Sequence, residues 1–130
     1  MRRITKILLL LLVVFGISFS LSWGQTDPNE WTVTYSTNIA QTNQIVVSAP
    51  TAYVSLYITD IVIANGATAG EITLLNGSSG PVIWRVYVGV NTTYAISLKT
   101  PIKLLPAVGL FLTSTSVTTH SVTICGNKKL

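Results

Sequence analysis

The segment YITDIVIANGATAGEITLLNG, residues 57–77, contains two of the four acidic residues of the chain and decides how the rest is interpreted. Its apolar residues alternate, and the phase of the alternation shifts by one residue between Ile58 and Ile61. Such a shift is the signature of a β-bulge, which we place at Thr59-Asp60. Asn65-Gly66 opens a turn of small residues, after which the alternation resumes. The segment therefore predicts a hairpin made of a bulged strand, a small-residue turn and a returning strand.

Similar alternation recurs along most of the chain. Eight segments are defined by Trp31, Val33 and Tyr35; Ile45, Val46 and Val47; Val54, Leu56 and Ile58 with Ile61 and Ile63; Ile72 and Leu74; Val82, Trp84, Val86, Val88 and Val90; Tyr94, Ile96 and Leu98; Leu110 and Leu112; and Val122 and Ile124, ending at Gly126. Pro101 and Pro106 indicate an edge strand or a loop after the sixth segment. Short strands separated by Gly, Asn and Pro are typical of an all-β fold, which we predict to be an antiparallel, jelly-roll-like β-sandwich of eight strands.

The N-terminus has the pattern of an export signal. Arg2, Arg3 and Lys6 precede an apolar run over residues 7–19, and Ser22-Trp23-Gly24 offers small residues to a signal peptidase. We expect residues 1–24 to be a signal peptide cleaved before Gln25, and the alternative is an uncleaved membrane anchor. The remaining boundaries are a polar lead-in over residues 25–30, a β-sandwich domain over 31–126 and a basic tail over 127–130.

The charge of the chain resides partly in this leader. The formal net charge of +4 includes three basic residues that cleavage would remove. Five cations and four acids then remain, a net charge of about +1. Nucleic-acid binding requires basic residues clustered on one surface, and these are scattered along the chain. The composition therefore excludes that class of partner, and contact with a membrane is expected only through an uncleaved leader.

Residues capable of catalysis are scarce. Asp60 and Glu71 flank one turn and could act as an acid and a base, but both occupy positions where a solvated carboxylate is ordinary. His120 is the only histidine, and we interpret it as a structural or solvent-facing residue in a polar turn or exposed edge over residues 118–121. Cys125 is most simply a small buried hydrophobe, with an intermolecular disulfide or a reactive thiol as the alternatives. We expect no catalytic residues, no metal and no cofactor.

Aromatic residues offer another kind of surface. Trp84 alternates in phase with four valines, so we place it in the core. Tyrosines on the faces opposite the core could stack on sugars or contact a protein. The candidate contact surface consists of Tyr57, Asp60, Tyr87 and Tyr94.

From about residue 56 to residue 126 the sequence resembles small structural proteins of tailed phages. The similar segments are LYITDIVIANGATAGEITLLNG, YVGVNTTYAISLKTPIKL, GLFLTSTS and VTICG. The resemblance implies a β-sandwich module of a virion surface with an assembly role and no catalytic residues. The leader departs from this pattern, because virion proteins that assemble in the cytoplasm need no export signal.

Three functional hypotheses follow. The first is a non-enzymatic, exported β-sandwich, secreted or at a cell or virion surface, that acts by surface contact in a multimer or coat. Its partner would be another protein or further copies of itself, engaged through an exposed strand edge or a flat Thr and Tyr face. The second is a secreted, lectin-like module that binds carbohydrate through exposed aromatics. The third, a small secreted hydrolase, is disfavoured by the shortage of His, Asp and Glu.

Overall fold

A computed structural model describes residues 27–130, and all regular secondary structure in this range is β-strand. The predicted signal peptide and the first residues of the lead-in lie outside the described residues. The strands are β1 (Glu30–Thr37), β2 (Gln41–Val47), β3 (Ser55–Asn65), β4 (Gly70–Asn76), β5 (Val82–Val88), β6 (Thr93–Lys103), β7 (Leu110–Ser114) and β8 (His120–Lys129). No helix that could cross a membrane occurs between residues 27 and 130.

The eight strands form two four-stranded antiparallel sheets with the topology of a jelly roll. Sheet A has the order β1-β8-β3-β6, and sheet B has the order β2-β7-β4-β5. The pairings β1 with β8, β2 with β7, β3 with β6 and β4 with β5 are nested, as in one long antiparallel ribbon. Further pairing of β3 with β8 and of β4 with β7 rolls this ribbon into a sandwich. The predicted fold class is therefore confirmed.

The hairpin predicted for residues 57–77 is wrong in one respect. Both strands and the bulge exist, and the register shift lies between Ile58 and Asp60 as predicted. However, β3 belongs to sheet A and β4 to sheet B, so the turn carries the chain across the end of the sandwich. The Asn65 side chain directs this crossing, because its amide donates hydrogen bonds of 2.8 Å to the carbonyls of Thr68 and Gly89.

The core lies between the sheets and consists mainly of aliphatic side chains. Its buried hydrophobic members are Leu56, Ile58, Ile61, Ile63, Ile72, Leu74, Val88, Leu104, Leu110, Leu112, Val122 and Ile124. Trp84 packs partly buried against this cluster, with its ring centroid 6.0 Å from that of Tyr94. Burial of each large aliphatic side chain stabilises the fold by about 1.5–3 kcal/mol.

The fifth segment predicted from the sequence, Val82 to Val90, does not match β5 at its two ends. Val82 and Val90 are about half exposed, so the prediction that they share the core face is wrong. A register shift explains Val82: Leu75 pairs with Val82 and Leu74 with Trp84, which leaves Ile83 as an extra residue and reverses the phase before it. Val90 lies beyond the end of β5.

Strands β6 and β8 both extend further than a break at Pro101 or Gly126 would allow. Strand β6 continues through Pro101 at the edge of sheet A, which agrees with the predicted edge strand. Strand β8 does not end at Gly126 but continues to Lys129, pairing with β3 as far as Ser55. The residues expected to form a basic tail therefore lie largely within the sheet, because β3 supplies backbone partners for them.

Candidate functional site

Part of the outer face of sheet A carries a single charged side chain, whereas Glu30, Lys99, Lys103 and Lys129 lie beyond this part on the same sheet. Because the registers of its four strands are aligned, outward residues form rows across the sheet, and three successive rows have this composition: Ser36, Ser121, Ala64 and Thr93; Thr34, Thr123, Val62 and Ala95; Thr32, Cys125, Asp60 and Ser97. We call these positions the neutral face. Its only ionisable carboxylate is Asp60, although roughly a quarter to a third of a designed soluble surface is charged.

The next row marks one charged end of the neutral face. It contains Glu30, Asn127, Tyr57 and Lys103. The Nζ atoms of Lys103 and Lys129 lie 5.6 and 5.4 Å from the centroid of the Tyr57 ring. Attraction between ammonium groups and an aromatic ring is worth roughly 0.5–1 kcal/mol at exposed sites, so Tyr57 orders both lysines at this end.

The β3 bulge creates a cleft of about 270 Å³ at the boundary between the neutral face and this charged row. It is lined by Glu30, Trp31, Thr32, Thr59, Asp60, Cys125, Gly126 and Asn127. Hydrogen bonds from the side chains of Ser97 and Thr59 hold the pKa of Asp60 below its ordinary value, which keeps this carboxylate ionised.

Two polar atoms of the cleft residues lack partners. Trp31 Nε1 and Asn127 Oδ1 are buried without a hydrogen-bond partner in the described part of the chain. The first can only donate and the second can only accept. Buried polar atoms of this kind are rare in proteins, because leaving one unpaired costs about 1–3 kcal/mol.

Cys125 lies in the third row of the neutral face and is partly exposed. The Thr32 hydroxyl donates a weak hydrogen bond of 3.5 Å to its sulfur. The prediction of a small buried hydrophobe is therefore wrong, because the alternation of β8 directs Val122 and Ile124 inward and Cys125 outward.

The four residues of the predicted contact surface do not come together. Tyr57 and Asp60 lie on the outer side of sheet A, within the charged row and the neutral face respectively. Tyr87 is 71% exposed on β5 at the edge of sheet B, on the other side of the sandwich. Tyr94 is partly buried against the core beside Trp84. Only Tyr57 and Asp60 thus share one surface.

His120 is buried and fully hydrogen-bonded, in contrast to the exposed turn or edge that the sequence suggested. It begins the central strand β8 and is 1% exposed. Its Nδ1 lies 2.8 Å from the Thr118 carbonyl, which can only accept, so Nδ1 carries the hydrogen. Its Nε2 accepts from the Ser114 hydroxyl at 2.9 Å. The histidine therefore connects the two sheets, and its structural interpretation is the one that the geometry supports.

The remaining ionisable groups do not form a catalytic arrangement with it. Glu71 lies on the outside of sheet B, where its carboxylate is 3.4 Å from Arg85 Nε, so it cannot meet Asp60 on sheet A. His120 and Cys125 face opposite sides of β8, as predicted. Within residues 27–130, no three His, Cys, Asp or Glu side chains converge in a way that could hold a metal ion.

Known proteins show only a weak structural likeness to this chain. No family model matches the sequence, and no curated protein matches it. A subunit of the disulfide-linked pili of Bacillus endospore appendages is 13% identical, with a TM-score of 0.40 over 82% of this chain and 96% of that one. Tobacco streak virus coat protein is 14% identical, with a TM-score of 0.34 over 81% of this chain and 90% of that one. PirA is 15% identical, with a TM-score of 0.36 over 82% of this chain and 99% of that one.

All three TM-scores are below 0.5, so none of these likenesses assigns a function to the chain. They include a virus coat protein and a pilus protein, which are structural proteins, but none of the three is a tailed-phage protein. The resemblance to tailed-phage proteins therefore stays a prediction.

The sequence suggested a flat Thr and Tyr face as a contact surface, but it did not locate the neutral face or its residues. Its signal is present in the residues that alternate with the core positions, as in TVTYS, DIVIA, TYAIS and SVTIC. Each segment alone is an ordinary strand, because Thr and Val favour extended structure. Only the registers between strands show that these small residues form one continuous surface.

Proposed function

We propose that the protein is a non-enzymatic, exported structural module that acts by surface contact in a multimer, coat or virion-like assembly. The observation that carries the proposal is the neutral face of sheet A. Cores of protein interfaces are depleted of charged residues, whereas their rims are polar. The neutral face and the charged row beside it have this arrangement.

The size of the neutral face indicates how it would be used. Four strands about 4.8 Å apart and three rows about 6.7 Å apart cover roughly 400 Å². A stable interface of standard size requires about 800 Å² from each partner. The face would therefore hold partners together only alongside other contacts, as in an assembly of many copies.

Matched lysine substitutions test the contact. Val62 lies in the middle row of the neutral face and is 39% exposed, whereas Tyr87 is an exposed apolar residue on the other sheet. We expect Val62→Lys to lower the mass of the multimer measured by light scattering, because it introduces a charge into the contact. Tyr87→Lys should leave the mass unchanged. A wild-type protein that remains monomeric at high concentration would overturn the proposal.

Export is a separate part of the proposal and has its own test. We infer that residues 1–24 direct secretion and that the mature protein lies outside the cytoplasm, at a cell or virion surface. Expression of the full chain in a secreting host should yield a product that begins at Gln25, as shown by the intact mass of the secreted protein. A product retained in the membrane at full length would instead support the uncleaved anchor.

The cleft supports a second candidate function, binding of a carbohydrate. The ionised Asp60 in the cleft offers an acceptor to sugar hydroxyls, and Trp31 and Asn127 line the same cleft. Sugars that bind there should shift the NMR signals of these residues, and Asp60→Asn should weaken the binding. A glycan panel with no ligand at millimolar concentration would exclude this candidate.

A further inference from the structure

Four strands form the edges of the two sheets, and three of them contain features that hinder pairing with another chain. Strand β6 contains Pro101 and outward lysines. Strand β2 has two register shifts and a left-handed residue, Asn43, with a φ of 54°. Strand β5 has a register shift at Ile83, an exposed Arg85 and a proline directly before it. Prolines, bulges and charges are the usual means by which proteins protect sheet edges.

The fourth edge strand, β1, has none of these features. Its sequence EWTVTYST contains no Pro, Gly or Lys, and its only charge is Glu30 at the first position. It pairs with β8 in an unbroken register over all eight residues. A long, regular edge of this kind is a template for pairing with another strand.

The free hydrogen-bonding groups of β1 can be assigned from its pairing. The Lys128 N–H donates to the Asn29 carbonyl at 2.8 Å, so Asn29 is a hydrogen-bonded position of the ladder with β8. Hydrogen-bonded and non-bonded positions alternate in antiparallel pairs. The N–H and C=O groups at alternate positions from 30 to 36 therefore point away from β8, and these belong to Glu30, Thr32, Thr34 and Ser36.

We propose that β1 pairs with β1 of a second copy, antiparallel about a two-fold axis at Val33, to form a continuous eight-stranded sheet. This inference rests on the proposed function, since it names the partner and the contact of the assembly. The axis at Val33 pairs Thr32 with Thr34 of the second copy and Glu30 with Ser36 of the second copy. All four free positions of each strand are then used, which gives about eight hydrogen bonds.

The side chains favour a second copy of the same strand as the occupant. In this register Trp31 lies opposite Tyr35 of the second copy on the inner side, and threonines face each other on the outer side. Aromatic and Thr–Thr pairs are favourable across antiparallel strands. Glu30 meets a serine, so no like charges are opposed. An axis at Thr34 would place Trp31 opposite Thr37 and use only three free positions of each strand.

Pairing of this kind also explains the size of the neutral face. The two copies would present their outer faces on the same side of one sheet, because a two-fold axis perpendicular to the sheet preserves its sides. The neutral face would double to roughly 800 Å², the contribution of one partner to a standard interface. The dimer would therefore be the unit that presents a surface large enough for further assembly.

Proline substitutions on the two edges of sheet A test the pairing. Thr34→Pro removes an N–H that points to the free edge and leaves the ladder with β8 intact. The matched control is Ala95→Pro on β6: Asn65 N–H donates to the Thr92 carbonyl at 2.9 Å, so by alternation the Ala95 N–H also points away from its neighbour. A second control, Thr34→Ala, removes the side chain but keeps the N–H.

Sedimentation equilibrium of the exported protein should give a dimer dissociation constant that rises at least tenfold in Thr34→Pro and less than threefold in both controls. Far-ultraviolet circular dichroism establishes that each variant folds. A wild-type protein that is monomeric overturns the proposed function and this pairing together. A wild-type multimer that Thr34→Pro leaves intact overturns the pairing and leaves the proposed function standing.

Disulfide trapping gives a readout of the register that does not depend on stability. In a Cys125→Ser background, Val33→Cys places two thiols across the proposed axis, within the distance that a disulfide spans. Thr32→Cys and Thr34→Cys in the same background face the other side of the strand, and neither lies on the axis. Oxidation should cross-link the residue 33 variant far more completely than the other two. Equal cross-linking at all three positions, or none at residue 33, would overturn the pairing.

Discussion

Removal of the Ser114 hydroxyl should destabilise the protein more than its small size suggests. Ser114 is 2% exposed, and its hydroxyl donates to Nε2 of His120, which is 1% exposed. Ser114→Ala would leave Nε2 as a buried acceptor without a donor, at a cost of about 1–3 kcal/mol. Its backbone pairing with β4 would be unaffected. For a domain of about 100 residues, a loss of 2 kcal/mol lowers the melting temperature by roughly 8–16 °C.

The same change on the outside of the sandwich provides the control. The hydroxyls of Thr34 and Thr123 lie 2.9 Å apart on the exposed face of sheet A, so Thr123→Ala also removes one hydrogen bond between side chains. Water can replace that partner, and we expect a loss below about 0.5 kcal/mol. Urea unfolding followed by tryptophan fluorescence would measure both variants.

A double substitution separates the cost of leaving His120 Nε2 unpaired from the cost of losing the Ser114 side chain itself. In Ser114→Ala with His120→Leu, the orphaned acceptor is absent, so the two changes together should cost at least about 1 kcal/mol less than their sum. If Ser114→Ala is no more destabilising than Thr123→Ala, or if the two substitutions at positions 114 and 120 are simply additive, then the buried hydrogen-bond chain does not join the sheets as we argue.

Three further predictions concern the bulge region and the thiol. Ser97→Ala should raise the pKa of Asp60 toward its ordinary value of 3.8, as measured by carboxyl NMR titration. Because the pKa of Asp60 is depressed in the folded protein, the ionised carboxylate stabilises the fold at pH values above 3.8. This stabilisation is lost as the pH falls through the pKa of the folded state. Gly126→Ala should lower the free energy of unfolding by at least about 2 kcal/mol, because a Cβ at this position would collide with the β3 main chain and an indole ring. A Cβ at Gly89 would make only ordinary contacts, so Gly89→Ala is the control. Equal urea midpoints for the two variants would contradict this prediction. Cys125→Ser should change stability by less than about 1 kcal/mol, and a dimer band of the wild type on non-reducing gels would show instead that the thiol links copies.

Strand positions could be read from the sequence because alternation is a local property. Both halves of β3 and the bulge between them follow from the phase of its isoleucines, and each of the eight segments corresponds to a strand. Which strands pair is a non-local property. The crossing after β3 depends on the Asn65 amide and its bond to the Gly89 carbonyl, 24 residues away. The dipeptide Asn65-Gly66 therefore indicates a turn but does not indicate the sheet to which the chain returns.

The burial of single residues and the composition of the neutral face could not be predicted from the sequence, because they also depend on contacts between strands. Val82 and Ile83 are both apolar, so the alternation alone cannot show which of them is the extra residue of a bulge. His120 follows two threonines and resembles a polar turn, but Ser114 on the other sheet provides the partner that allows its burial. The neutral face combines residues from four strands, and its composition becomes visible only after their registers are known.

Comparison of the two edge strands of sheet A distinguishes two reasons for the composition of β1: its propensity to form a strand, and contact with another chain. Threonine favours extended structure, so its abundance on β1 could reflect folding alone. Strand β6 occupies the opposite edge of the same sheet under the same demand, yet it contains Lys99, Lys103 and Pro101. Because charges and proline are tolerated at a solvent-exposed edge, folding does not require β1 to lack them. The absence of these features on β1, beside a face with one carboxylate, is therefore better explained by pairing with another strand than by the stability of the monomer.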